Sequence, residues 1–298
     1  MLRLPSHGRY SFSPIGERPV YDWPGGRRLA FYLGLNIEHF AFMAGIGNDP
    51  FTRTAGPQTQ RNAAWRDYGL RVGVWRLFDL FEELNLPASV LLNSLVCEHY
   101  PQVIKAIRDR GDSIVAHGRT NSELLNVMWE QDEARIIAET TDVIAASFGK
   151  RPTGWMGPAA AESRVTTDLL IEAGYTHTLG WPVDDQPIWI AGRSGRIMSI
   201  PYPMELNDMG TNVLRDHTGV EFERMIVDQF DEMLEQSKAQ PLVMCVALHP
   251  FVCGQPFRLR ALRRALKHIS ERAEDRVWFT HAEEIAQFCH SQPDQTIV

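Results

Sequence analysis

The sequence predicts a single-domain α/β protein built on a mainly parallel sheet, and three observations lead there. Short apolar segments alternate with helical patterns about seven times. No Pro/Gly/Ser-rich linker interrupts the 298 residues. The length suits one large core, since a closed or nearly closed (β/α) barrel occupies about 250 residues. At 44% apolar and 22% charged residues the chain is an ordinary globular one. Disordered, collagen-like and coiled-coil architectures are thereby excluded.

In chain order, strands are expected at 29–35, 87–95, 113–117, 177–181, 197–201, 242–248 and 277–280. Each is brief, rich in apolar or β-branched residues and bounded by Gly, Pro, Asn or Asp. Leu70, Val74, Leu77, Phe78, Phe81 and Leu84 recur at three- and four-residue steps, which predicts a helix with one apolar face, stopped by Asn85-Leu86-Pro87. Further helices are expected at 102–110, 130–148, 164–173, 221–237, 258–272 and 283–289. Residues 40–66, with Gly45, Gly47, Pro50, Gly56 and Pro57, make too long a connection to be routine and read as an irregular substrate lid or oligomer contact. The domain is expected over 25–290, with an N-terminal arm at 1–24 and a tail at 291–298.

Thirty Lys and Arg against 37 Asp and Glu give a formal charge of −7, and the only basic stretch is 258–267. Nucleic acid is not an expected partner. The longest apolar run, 242–248, falls far short of the ~20 residues that span a bilayer. Residues 1–24 carry no apolar core of about 7–15 residues such as a secretion signal needs. Cys97, Cys245, Cys253 and Cys289 form no CxxC pair and read as reduced thiols. A cytoplasmic location is expected.

In such folds the chemistry lies just past the C-terminal ends of the strands. The first strand ends in Asn36-Ile37-Glu38-His39, and another in His117-Gly118-Arg119-Thr120-Asn121. Gly154-Trp155-Met156-Gly157-Pro158 is an aromatic turn able to offer backbone N–H groups to an oxyanion. Asn207-Asp208-Met209 forms another polar tip, and the 242–248 strand ends in His249-Pro250. Taken singly, each has an ordinary structural alternative: a salt-bridged Glu38, hydrogen-bonded loop or core histidines at 117 and 249, plain turns elsewhere. No phosphate-binding glycine loop, dinucleotide fingerprint or GxSxG elbow is present.

The order of these tips carries a resemblance. Residues 71–77 (RVGVWRL), Ala116-His117-Gly118, Arg151-Pro152-Thr153-Gly154-Trp155, residues 184–189 (DDQPIW), Asn207-Asp208-Met209 and His249-Pro250 follow one another as in the polysaccharide deacetylase (NodB-homology) superfamily. The chain most resembles the branch holding the metal-independent allantoinases and cyclic imide hydrolases. The resemblance, which runs from about Pro24 to Phe288, implies a distorted, incomplete (β/α) barrel and hydrolysis of a non-peptide C–N bond. In the carbohydrate deacetylases the first motif carries two adjacent aspartates, one acting as base and one as metal ligand, and a His-x-x-x-His pair completes the zinc site. Here those positions read Ile37-Glu38-His39 and His117-x-x-x-Asn121, so the metal set is altered at two places. A neutral Asn amide is a poor replacement for imidazole on zinc. The expectation is a site without a cofactor; a weakly bound divalent metal, if present, would be held by Glu38, His117 and Asn121.

The chemistry implied is hydrolysis of a small cyclic amide, imide or ureide, whose leaving nitrogen is conjugated and departs without a strong Lewis acid. Glu38 is expected to orient or deprotonate the water with its carboxyl pKa raised by an apolar barrel mouth, with His117 in support and His249 protonating the leaving nitrogen. Backbone N–H groups near Gly157 and the Asn121 amide would stabilise the oxyanion, and Trp155, Phe40 and Trp189 would sandwich a planar ring. Asn207 and Asp208 would read its polar edges, and Arg119 a substrate carboxylate. A metal-dependent N-deacetylase of an amino sugar and a catalytically silent binding barrel are the alternatives. The allantoinase resemblance also implies a homo-oligomer, possibly a tetramer.

Overall fold

The computed structural model describes residues 6–45, 49–51 and 56–298. Parts of the 40–66 connection, residues 46–48 and 52–55, lie outside the described residues, as do residues 1–5 of the arm. Nine strands form one sheet: β1 (Leu29–Ile37), β2 (Ala88–Leu92), β3 (Ser113–Ala116), β4 (Gly154–Trp155), β5 (His177–Thr178), β6 (Ile188–Gly192), β7 (Gly195–Ser199), β8 (Leu242–Leu248) and β9 (Val277–Phe279). Their order is β6-β7-β5-β4-β3-β2-β1-β8, with β9 on β1. Every pairing is parallel except the β6–β7 hairpin. The two edges of β1 explain the branching: residues 29–31 pair β9 and residues 33–37 pair β2, while β8 runs along the other side.

The sheet curls into an incomplete barrel. Among the described residues no strand covers the outer edge of β8, and irregular chain takes that place. Val243 N–H donates to the Asp185 carbonyl (2.9 Å) and Ala247 N–H to the Leu206 carbonyl (2.9 Å). These bonds satisfy donors that a missing strand would otherwise leave orphaned.

Period-two alternation sorts the side chains into two layers. Leu29, Phe31, Leu33, Leu35 and Ile37 of β1 face outward into the larger core. There they meet the amphipathic helices α2 (Val74–Glu83), α4 (Pro101–Arg110), α5 (Glu130–Phe148), α7 (Gly219–Gln236) and α9 (Pro256–Ala273), together with Leu169 and Leu170 of α6 (Thr166–Glu172). Ala30 and Tyr32, with Leu91, Val115, Met156, Cys245 and Ala247, face the barrel interior. Trp23 and the final helix α10 (Ala282–Ser291) fill that interior from the end where the strands begin. Continuing the inward series past each apolar run brings β1 to Asn36 and Glu38, β3 to His117 and β8 to His249. The alternation thus aims three polar side chains at one mouth.

Several sequence-based boundaries change. The hairpin strand β6 was not anticipated, and β4 read only as a turn, because two- to five-residue strands give too few alternations to stand out. Helix α1 (Gln60–Tyr68) occupies the end of the connection read as irregular. Its buried residues are Asn62, Ala63 and Arg66, so it carries no apolar stripe; Thr59 caps it by accepting the Asn62 N–H. The expected helix at 70–84 begins as a π-helical turn, Gly69–Gly73, before α2. Ser94 to His99, partly counted with the second strand, turns into the short helix α3 (Leu95–His99). Among the described residues no helix is long and apolar enough to cross a membrane.

The π-helical turn lies against α8 (Pro250–Cys253), the single turn that follows His249. A Cβ on Gly73 would overlap the Pro250 carbonyl oxygen. Gly73→Ala is expected to cost about 1–3 kcal/mol through overpacking, seen as a lower Tm by calorimetry. An unchanged Tm would show that this contact does not constrain the chain.

Candidate active site

A cavity of about 550 Å³ opens at the barrel mouth. Glu38, His117, Asn121 and His249 line it together, with Phe40, Met156, Leu179 and Phe251 among its apolar walls. Glu38 is 9% exposed, His117 2% and His249 7%. A carboxylate buried this far needs partners. Glu38 Oε1 accepts the Asn121 amide (2.7 Å) and lies 3.5 Å from His117 Nε2 and 3.6 Å from His249 Nε2.

The two histidines are held differently. His249 Nδ1 donates directly to Asp208 Oδ1 (2.7 Å), while its backbone N–H donates to Asp208 Oδ2 (2.9 Å). His117 Nδ1 is 2.7 Å from the Met156 carbonyl. A carbonyl only accepts, so Nδ1 carries a proton, and in the neutral ring Nε2 keeps its lone pair. That Nε2 has no hydrogen-bond partner among the described residues.

Electrostatics divide the roles further. Burial alone would lower the His249 imidazole, but the charges of Glu38 and Asp208 outweigh it and raise it to about 10. Burial alone would raise the Glu38 carboxyl; the positive charge of His249 is foremost in outweighing it and holds the carboxyl well below the usual carboxylate range. The expected upward shift of Glu38 is therefore corrected. The mouth is apolar, but its floor is not, and an ionised Glu38 is better suited to orienting a water than to taking its proton.

Other expectations are also revised. Trp155 is fully buried on the outward face of β4, against Tyr175, because the inward positions there are Gly154 and Met156. Trp189 carries the Arg196 guanidinium at 3.9 Å on β6, away from the cavity. Neither can sandwich a substrate ring. Arg119 pairs with Glu123 and with Glu139 (3.2 Å), so it does not face the site. The Gly157 N–H is given to Glu162 Oε1 (2.9 Å), which removes it from oxyanion binding. Asp208 is wholly buried behind His249, and its role is to hold that ring. Asn207 lines the cavity, with its Oδ1 accepting the Met209 N–H (3.0 Å). Phe40 lines it too.

Sequence reasoning missed Arg66, on α1, which lines the cavity with its guanidinium 3.6 Å from the centre of the Phe40 ring. Burial lowers it to about 10, opposed by the charges of Glu38 and Asp49. It also missed Tyr202, whose hydroxyl accepts from Asn36 Nδ2 (2.8 Å) beneath Glu38. Neither had a periodic or motif signal, since each reaches the mouth from an irregular or polar stretch.

The donor set does not fit a resident zinc ion. Zinc asks for at least three converging lone pairs. Asn121 turns an N–H toward Glu38, and the His249 imidazolium stands 3.6 Å from the same oxygen, where it opposes a dication. Among the described residues no three His, Cys, Asp or Glu converge as metal ligands.

Comparison with known proteins agrees with this architecture. Residues 65–178 match the family described as polysaccharide deacetylase. This match and the structures below indicate an amidohydrolase, an enzyme that cleaves C–N bonds. A putative polysaccharide deacetylase of Schizosaccharomyces pombe is 26% identical over 283 residues, covering 88% of this chain and 86% of its own. The crystal structure of a probable polysaccharide deacetylase from Pseudomonas aeruginosa shares 26% identity at a TM-score of 0.81, over 96% of both chains. That of PuuE allantoinase shares 25% identity at a TM-score of 0.84, over 100% of both chains.

Since His249 lies at about 10 in the folded chain against 6.5 as a free group, its pairing stabilises the fold fully below about 6.5. That contribution is lost as pH rises through about 10. In Asp208→Asn the imidazole should titrate one or more units lower, as followed by NMR of the His249 ring. An unmoved titration would mean that Asp208 does not set the charge on His249.

Proposed function

We propose that the protein hydrolyses a C–N bond of a small cyclic amide, imide or ureide without a metal. The observation that carries this reading is the pairing of a lone-pair imidazole, His117, with a protonated one, His249, on either side of the ionised Glu38. A full-length likeness to PuuE allantoinase supports it, and so does an apolar cavity sized for a small ring.

In this mechanism Glu38 orients a water at the scissile carbonyl. His117 Nε2 takes its proton as the new C–O bond forms. Positive charge at Arg66 and His249 favours the developing oxyanion. His249 then protonates the nitrogen as the C–N bond breaks, and Asp208 holds its ring in line. In an imide or hydantoin that nitrogen is conjugated to a second carbonyl and leaves readily, so acid, base and electrostatic help suffice. Phe40 and Phe251 offer faces for a flat ring, in place of the tryptophans.

Reduced cysteines accord with a cytoplasmic setting: Cys97, Cys245, Cys253 and Cys289 form no disulfide. A homo-oligomer belongs to the same reading, supported by the exposed Phe12, Phe42 and Phe51 on the arm and the long connection. Sedimentation velocity reports it directly.

The decisive assay sets cyclic imides, hydantoins and lactams beside N-acetylated amino sugars, with and without chelator. Ring opening that chelator leaves intact is the expected outcome. Acetate release that requires added zinc or cobalt would replace this reading with the metal-dependent deacetylase. Glu38→Gln and His249→Ala should each lower turnover at saturating substrate by at least about a hundredfold. Full activity in both would remove the assignment.

A further inference from the structure

The peptide group joining Met156 to Gly157 is hydrogen-bonded at both ends. Its carbonyl accepts His117 Nδ1–H at 2.7 Å, and its N–H donates to Glu162 Oε1 at 2.9 Å. We propose that Glu162 is a positioning residue for His117, acting through this peptide to strengthen the bond that keeps the proton on Nδ1 and the lone pair on Nε2. The site then holds two histidines each backed by a carboxylate: Asp208 touches His249 directly, and Glu162 reaches His117 across one peptide unit.

Local geometry is arranged around this contact. Ala159 and Ala160 both lie in the left-handed region, at φ 54° and 52°, a conformation costing about 1–3 kcal/mol at a non-glycine residue. The turn they make carries the chain back so that Glu162 reaches the N–H at its own beginning. Glycine is needed on both sides of the carboxylate. A Cβ on Gly157 would come within 2.8 Å of Glu162 Cγ, and one on Gly180 within 2.6 Å of Oε2. Ala159, Ala160 and Gly180 line the cavity, so the same turn forms part of its wall.

A carboxylate accepting from a peptide N–H polarises that peptide and makes its carbonyl a better acceptor. A directly bonded carboxylate, as at His249, favours the imidazolium. One placed a peptide away orients the ring without contributing a full charge at it, which suits a residue that must keep its lone pair. Part of Glu162 reaches the surface, yet its carboxyl is enclosed by the turn and Gly180. Burial raises it to about 7, with the Gly157 N–H opposing and the charge of Glu133 on α5 adding. Glu133 itself accepts from Ser163 Oγ (2.6 Å) and Thr166 Oγ1, and Gly180 brings no side chain. Glu162 thus carries its charge above about pH 7 and loses it below.

This inference rests on the proposed function only for His117 acting as base, and the test separates the two. Glu162→Gln keeps an oxygen for the Gly157 N–H while removing the charge. In the free protein the His117 Nδ1–H proton resonance should move upfield in this variant, and in wild type as pH falls through about 7. Both readings need no substrate and stand whatever the enzyme hydrolyses. On whichever substrate is turned over, Glu162→Gln should lower kcat/KM about 10- to 100-fold and abolish the acidic limb near pH 7. An unmoved resonance in both experiments overturns the relay. So does an activity loss that leaves the limb in place, because Glu162 would then be only a strut of the turn.

Discussion

Everything at the barrel mouth depends on keeping one carboxylate charged where little water reaches it. An unpartnered ion at the depth of Glu38 would cost several kcal/mol and would neutralise itself by taking up a proton. The Asn121 N–H and the His249 imidazolium prevent this from two directions. The solution propagates outward. His249 is kept protonated by Glu38 itself and by Asp208 buried behind it, and the Met156 carbonyl sets the face that His117 turns to the site. The conformations of the Met156–Glu162 turn and of the chain around Asn207–Asp208 follow from these demands.

The same constraint bears on metal chemistry. In the carbohydrate deacetylases that the chain resembles, the strand-tip residues present lone pairs to one ion. Here the corresponding positions present a carboxylate already bonded to an amide N–H, one imidazole lone pair and an imidazolium nearby. Such a set handles protons well and a dication poorly. The proposed scissile bond accords with this, since a poor amine leaving group benefits most from a Lewis acid, while a conjugated ring nitrogen leaves more readily.

The incomplete barrel has its own consequence. Because β8 lacks a strand on its outer edge, residues 185 and 206 come in as irregular chain to satisfy it. The bond at Leu206 fixes the start of the Asn207–Asp208 segment beside β8 and so delivers Asp208 to His249. A fully closed barrel would have supplied those backbone bonds from a regular strand, without an equivalent turn at that place. The gap in the sheet is part of how His249 is positioned.

The sequence by itself determined the layers and the mouth. Alternating strands and amphipathic helices leave one economical arrangement, and period-two alternation carries β1, β3 and β8 inward to Glu38, His117 and His249. Glu38 and both histidines were therefore legible as strand-tip residues. Their ionisation was not, because a pKa depends on charges brought together from residues 38, 117, 208 and 249. Trp155 shows the limit of strand-tip reasoning: a two-residue strand does not declare its inward face, and the tryptophan belongs to the outer core. Trp189 and Arg119 were misassigned because stacking on Arg196 and pairing with Glu123 and Glu139 are tertiary contacts. Arg66 and Glu162 were invisible for the complementary reason. One rides on a helix whose buried face is polar and the other follows a left-handed turn, and neither pattern predicts a place at a site until the chain is folded.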